Sequence, residues 1–275
     1  MKLSTWEDLG VVVRGGEEEQ RGRCPKCGRG DRDKKTFGFN VVNGKFGCFR
    51  CHFTGRLGTD TRNVTPIAAP ARQQKFTTLS DYGRKIWESC YPPHGIALDY
   101  LESRCCVIPP RDGDLRYHPS LKHPSGYVGP ALVALVTHAV TGEPLTLHRT
   151  WITSTGKAAV KPPRLLLAGH NKLNGVIRLW PDDAVITGLG VAEGIETALC
   201  AAHGFQPVWS CIDSGNLTKL PLLNGISSLV IFADHDPAGI SASNTSGQRW
   251  ADAGRDVVIA MSERAGFDIA DEVAA

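Results

Sequence analysis

Apolar and polar positions follow different periods in different stretches of this chain, and the changes of period mark its organisation. Tyr82, Ile86, Trp87 and Cys90 recur at helical spacing and predict one short helix; a second is predicted over Ile96 to Arg104. Both precede Pro109 and Pro110, which cannot continue a helix. From Ala131 the chain turns to strand-forming runs, where ALVALVTHAV, the turn TGEP and then LTLHRTWI read as an antiparallel hairpin. From Ala184 strands and helices alternate: AVITGLGVAEG, IETALCAAHG, PVWSCI, NLTKLP, SLVIFADHD, a helix from Pro237 to about Gly254, and DVVIAM. A β-α-β series of this kind builds a parallel sheet with helices on both faces, so the fold class is α/β.

Before residue 60 the cysteines come in pairs and long apolar runs are absent. This segment is Gly-rich and short of apolar runs, so it cannot bury a core unaided and a metal has to hold it. Residues 61–77, TRNVTPIAAPARQQKFT, mix Pro, Ala and polar residues without periodicity and read as a linker. The expected organisation is an N-terminal metal module over 1–60, a linker over 61–77, a helical and hairpin subdomain of mixed α+β character over 78–183, and the parallel-sheet domain over 184–275.

At 275 residues the chain has room for such an arrangement. MKLSTWEDLG lacks an apolar targeting core and no run is long enough to span a bilayer, so a cytoplasmic protein with no membrane partner is expected. The net charge of +3 is unremarkable, but its distribution is not: residues 21–75 hold thirteen Lys and Arg against three Asp. Ten excess positive charges in so short a segment are the footprint of a module that docks on phosphates.

Within that segment lie CPKC and CFRC. Cys24, Cys27, Cys48 and Cys51 have the spacing of a four-cysteine zinc ribbon, each CxxC turn presenting two thiolates to one tetrahedral ion. Structural Zn2+ is therefore expected, with His52 as a bystander and the five other cysteines as buried small hydrophobes or idle thiols. Phe37, Phe39, Phe46, Phe49 and Phe53 are interleaved with Lys35, Lys45, Arg50 and Arg56, a pattern suited to stacking on unpaired bases while cations track phosphates. In so small a domain about half of those rings have to serve as core.

The second concentration of chemistry is acidic. VAEGIET places Glu193 at the carboxyl end of a predicted strand, the edge where open α/β sheets bind ligands. Glu196 falls in the following first turn, either as part of the site or as an acid favoured by the helix dipole. FADHDPAG presents Asp234 and Asp236 two residues apart, before a helix begun by Pro237; an N-cap role could occupy one of them but hardly both. GFDIADE supplies Asp268 and Asp271. Carboxylates converging without a basic partner repel unless divalent cations neutralise them, and Mg2+ or Mn2+ suits an all-oxygen site. From Pro144 to Pro181 there is no Asp or Glu, while Arg149, Lys157, Lys161, Arg164, Lys172 and Arg178 accompany His148 and His170. Such a stretch can hold a nucleic-acid backbone and a triphosphate.

An EG turn followed by DxD at a later strand end resembles the Toprim domains of DnaG-type primases, topoisomerases, OLD-type nucleases and RecR-like proteins. The wider run LRYHP, PALVALV, HRTWIT, VAEGIETAL, DHDPAG and DIADEV, in this order behind a zinc motif, is similar to the mobile-element primases of the satellite-phage alpha type. The last motif departs from theirs, with Ala270 where an Asn is usual. The resemblance implies a DNA primase making short RNA primers on single-stranded DNA from nucleoside triphosphates. It implies Glu193, Asp234 and Asp236 as catalytic ligands of two Mg2+ or Mn2+ ions, with Asp268 and Asp271 ranked behind them. From the charge pattern, Arg149, Lys157, Lys161, Arg164, Arg178, Lys35, Lys45 and Arg50 are the expected nucleic-acid or nucleotide contacts, and, with no helicase motif in this sequence, the resemblance implies a separate replicative helicase as partner. A Toprim nuclease and a non-catalytic RecR-like mediator are the alternatives.

Overall fold

Around the paired cysteines, short alternating segments fold as an antiparallel meander. In the computed structural model, which describes residues 5–28, 36–48, 50–51, 53–57 and 76–273, these are β1 (Glu19–Gly22), β2 (Phe37–Asn40), β3 (Lys45–Cys48) and β4 (Thr54–Arg56), each paired with the next. Alternation points Phe37, Phe39, Phe46 and Cys48 inward, where Leu9 and Val11 cover them. Phe37 and Phe46 lie 5.6 Å apart by ring centroid, and Phe53 packs on Phe46 at 5.2 Å. These rings are consequently core, and the expected stacking surface loses Phe37, Phe39 and Phe46, all buried. Phe49, Lys35, His52 and most of the predicted linker lie outside the described residues.

The backbone separates into two units, Met1–Gln73 and Gln74–Ala275. The second begins with α1 (Asp81–Glu88), whose Ser80 side chain accepts a hydrogen bond from Gly83 N–H as a proper N-cap, and α2 (Ile96–Ser103). A mixed-length antiparallel sheet follows: β5 (Leu115–Lys122), β6 (Val128–His138), β7 (Pro144–Thr153), β8 (Gly156–Lys157), β9 (Arg164–Leu166) and β10 (Gly175–Val176). Its path is β10-β6-β7-β8, with β5 on β6 and β9 on β7. The strands β6 and β7 are the hairpin expected from the apolar runs; the strand nature of β5 and of the short β8 to β10 is not visible in their periodicity.

This sheet divides two cores. Ala131, Val133, Leu135, Leu147 and Trp151 face α1, with Ile86 and Leu79. Leu132, Ala134, Val136 and Ile152 face α2 and the C-terminal half of the unit. Because neighbouring side chains on a strand point to opposite faces, the parity of a residue on β7 decides which side it serves.

The C-terminal half is a parallel sheet ordered β12-β11-β13-β14, from β11 (Gly188–Ala192), β12 (Val208–Ser210), β13 (Ser228–Ala233) and β14 (Asp256–Met261). Between them run α3 (Ile195–Ala201), α4 (Ser214–Thr218) and α5 (Pro237–Asp252), and α6 (Ile269–Val273) follows. Leu189, Val191, Leu229 and Ile231 bury one face with Leu217 of α4 and Trp250 of α5. Ala192 and Phe232 bury the other with α3 and Ala270 of α6. Both faces are thus covered, as a parallel sheet requires. Among the described residues no helix is long and apolar enough to cross a membrane.

Candidate active site

In the first unit the four cysteines converge. Cys24 and Cys27 lie in the turn after β1, Cys48 ends β3 and Cys51 follows in the next turn. Their sulfurs all lie within 4.8 Å of one another, with Cys24 to Cys51 and Cys27 to Cys48 at 3.7 Å. A tetrahedral ion with bonds of about 2.3 Å sets its ligand sulfurs roughly 3.8 Å apart, so the quartet fits zinc. Without a cation the thiols ionise unevenly: contact with Cys51 pushes Cys27 up to about 12, whereas Cys48, despite its burial, is drawn down to about 7 by the backbone N–H groups of Cys51 and Arg50.

The second unit brings the acidic motifs to one edge. Since β11 and β13 are adjacent and parallel with Ala192 opposite Phe232, Glu193 and Asp234 leave the sheet at its carboxyl edge. The Ser210 hydroxyl donates to the Glu193 backbone carbonyl at 2.8 Å and ties the β12 end to the same place. Glu193 Oε1 and Asp234 Oδ1 are buried and have no hydrogen-bond partner. Burial, then Asp234, Asp236 and Asp213, push the Glu193 carboxyl up to about 7. Burial, then Asp268, Asp236 and Asp271, push Asp234 up to about 6, against a pull downward from Arg164. Orphaned buried carboxylate oxygens among like charges are the arrangement a divalent cation stabilises, so these residues fit one.

Three residues on, Glu196 has the opposite environment. Burial pushes its carboxyl up, but Lys157, Tyr100 and Arg164 outweigh that and hold it below the usual range. Lys157 Nζ lies 2.9 Å from Oε2, Arg164 stands at 3.9 Å, and the Tyr100 hydroxyl donates to Oε1. Glu196 is therefore an anchor for two cations of the cleft, beyond the helix-start acid that sequence alone allowed. Glu193 has no cation beside it among the described residues, whereas Glu196 is compensated from within.

The remaining acids divide between site and scaffold. Asp236 is the N-cap of α5, its Oδ1 accepting from Ala238 and Gly239 N–H at 2.9 and 2.8 Å, which leaves the other oxygen for a ligand. Asp268 accepts from Thr197 Oγ1 at 2.9 Å and from Asp271 N–H at 2.9 Å, and Asp271 accepts in return from Asp268 N–H. That reciprocal pair fixes the entry to α6. Among the described residues only the cysteine quartet gathers three or more His, Cys, Asp or Glu ligand atoms closely enough to hold an ion directly, so the sheet-edge carboxylates stand further apart. Mg2+ is commonly bound that way, through few carboxylates with waters and phosphates completing its shell.

A cleft of about 490 Å³ opens here, with Glu193, Asp234 and Asp268 on one side and Arg104, Lys157 and Arg164 on another. His148 lines it too, half-buried and pushed down by burial to about 4, hence neutral. Asp213, Thr197, Tyr100 and Arg104 belong to this neighbourhood and were missed in sequence. Asp213 carried a readable signal, as a strand-end carboxylate before Ser-Gly-Asn that caps α4; Tyr100 and Arg104 carried none, being brought in from a distant helix.

Not all of the basic stretch reaches the cleft. Lys161 is exposed between β8 and β9, and Lys172 pairs with Asp213. Arg178 is buried, stacked 4.7 Å over Trp209 and bound to Asp182, Thr137 and the Ala139 carbonyl, so it braces the fold. Arg149 points to the opposite face of the antiparallel sheet. Lys45 and Arg50 are exposed in the first unit.

Residues 188–275 match the Toprim domain and residues 78–179 match a domain of unknown function, DUF7146. No curated protein matches. Among solved structures the chain is similar to the zinc-binding and RNA polymerase domains of the Aquifex aeolicus primase, at 14% identity and TM-score 0.46, over 96% of this chain and 77% of that one. It is similar to the primase fragment of the bacteriophage T7 primase-helicase protein at 15% identity and TM-score 0.45, over 92% and 93%. A DNA primase domain from Pseudomonas aeruginosa matches at 13% identity and TM-score 0.45, over 70% and 73%.

Proposed function

We propose that this protein is a DNA primase, a nucleotidyltransferase that joins ribonucleotides on a single-stranded DNA template. The observation that carries the reading is the pairing, in one cleft of a Toprim-containing unit, of uncompensated Glu193 and Asp234 with the cations Lys157 and Arg164. Glu193, Asp234 and the free oxygen of Asp236 would hold the ions. Two Mg2+ or Mn2+ ions, when bound, would lower the pKa of the primer 3′-hydroxyl and neutralise charge on the departing pyrophosphate.

The protein's own groups supply position. Lys157 and Arg164, held by Glu196, face the space in front of the carboxylates and fit the phosphates of an incoming nucleotide. Neutral His148 adds a polar group without adding charge. No side chain is required as nucleophile, since the attacking hydroxyl belongs to the primer. His235, the base a nuclease reading would use, turns Nδ1 to the Ser262 carbonyl at 2.8 Å.

The test is incubation with single-stranded DNA, labelled nucleoside triphosphates and magnesium. Short RNA products from the wild type, absent in Asp234→Asn, are the expected result. Degradation of the DNA would replace this reading with a nuclease, and DNA binding without any chemistry would replace it with a mediator.

A further inference from the structure

The face of the antiparallel sheet turned away from the carboxylate cleft carries its own cavity, of about 560 Å³, between β7, the start of α1 and the chain around His170. Its size is ordinary for a small-molecule site, and its walls are largely apolar. Arg149 forms part of the floor. It is 6% exposed, yet no carboxylate lies within ion-pair distance of it among the described residues. One guanidinium nitrogen donates to the Leu166 carbonyl at 3.1 Å, and Nε is buried without a partner. Trp151 lies beneath the guanidinium at 5.3 Å. An almost enclosed cation with no counter-ion is costly, and the cost falls if an anion enters.

Aromatic rings stand at the mouth. Phe76 stacks on His170 with centroids 4.8 Å apart and stays 41% exposed, and Tyr82 on α1 is 64% exposed. Lys122 adds a second cation, while Asp81, the one acid on the wall, lies at the start of α1. His170 is held in place by Ser80, whose N–H donates to Nε2 at 3.1 Å, so the stacked pair is fixed rather than loose. Exposed rings lining the same cavity as a buried guanidinium without a counter-ion are complementary to a base that carries a phosphate.

From this the geometry points to a second nucleotide site, in which Phe76 and Tyr82 stack on a base and Arg149 with Lys122 receives its phosphate, on the sheet face opposite the carboxylate cleft. The occupant is either a free nucleotide or one unit of a single strand passing over this face. No divalent ion is needed, because the protein supplies the positive charge.

Binding in metal-free buffer tests this, using AMP, adenosine and a short oligothymidylate on the full chain, with 8-azidoadenosine 5′-monophosphate as a photolabel. The label is expected in the peptides carrying Phe76 and Tyr82, and Phe76→Ala with Tyr82→Ala, both at the surface, should weaken binding roughly tenfold. Arg149→Met should erase the preference for AMP over adenosine. Competition of the label by AMP but not by the oligonucleotide identifies a free nucleotide; competition by the oligonucleotide alone identifies a strand. Labelling confined to other peptides, or full affinity in the double surface variant, overturns the site, and that variant decides the matter even where Arg149→Met fails to fold.

Discussion

Two glutamates three residues apart show how a single substitution divides charge from structure. Glu193 and Asp234 each keep a buried oxygen without a partner among like charges, so neutralising either removes repulsion as well as chemistry. Asp234→Asn and Glu193→Gln are expected to abolish nucleotide incorporation yet to raise stability without added magnesium by roughly 1 kcal/mol each, a figure cut well below the full shift because both groups are half-exposed. The sign follows from the raised carboxyls, about 7 and about 6. Between the ordinary carboxylate range and those values the folded chain keeps protons that the unfolded chain has released, so the contribution of these carboxyls to stability falls as pH rises from about 4 to 7, against a smaller rise from His148, which burial holds down to about 4. Asp114, raised to about 6 chiefly by burial, adds to the fall with the same sign. Melting at pH 5 and pH 8 checks this, and magnesium at pH 8 should recover the part owed to Glu193 and Asp234 but leave that of Asp114. Melting that ignores both magnesium and Asp234→Asn would show that the carboxylates do not confront one another. Glu196→Gln, by contrast, should raise KM for nucleotide several-fold by loosening Lys157 and Arg164, with a smaller change in kcat. The strand-end acids were legible because a carboxylate after an apolar strand has few roles. The compensation of Glu196 by Tyr100 was not legible, since that contact spans 96 residues.

At the level of elements, the parallel sheet was readable because its strands are apolar runs, of which β11 and β13 lead straight into Glu193 and Asp234. β5 was not, as Pro119 and a register shift between His118 and Leu121 break its alternation. The local code is tightest at the β13 to α5 turn. Pro237 opens the helix and Asp236 caps it, both visible in DHDPAG. The need for Gly239 appears only once the chain folds back, for a Cβ there would sit 2.4 Å from the Asp234 carbonyl oxygen and 3.0 Å from Asp234 Cβ. Backbone cannot yield cheaply, so Gly239→Ala is expected to cost about 1–3 kcal/mol and to displace the Asp234 carboxylate. Activity should therefore fall further than thermal stability explains. Assays at a temperature where the variant is fully folded separate the two, and activity equal to wild type there would mean that the turn absorbs the methyl.

Over the whole molecule, stability is unevenly supplied. Among the described residues the second unit holds three clusters of buried apolar side chains, while the first has one, in which Cys24 and Cys48 are themselves members. Binding a metal at those cysteines is then part of folding the first unit. Cys27→Ser is expected to abolish zinc content and to expose residues 5–57 to protease, while the melting of the second unit is retained; protein purified without chelators and free of zinc would remove the premise. With the described phenylalanines largely buried, what the first unit can offer a single strand is cationic, through exposed residues such as Lys45 and Arg50. Cation contacts act by releasing counterions, each steepening the dependence of log affinity on log salt by about 0.7 for single strands. Replacing Lys45 and Arg50 with Ala should therefore flatten that slope by roughly 1.4 and weaken binding most at low salt, with zinc content unchanged. Titrations of a labelled oligothymidylate across a series of salt concentrations measure the slope directly. An unaltered slope in the double variant would mean that template is held by the cations of the second unit, with Lys157, Arg164 and the Arg149 face carrying the phosphates.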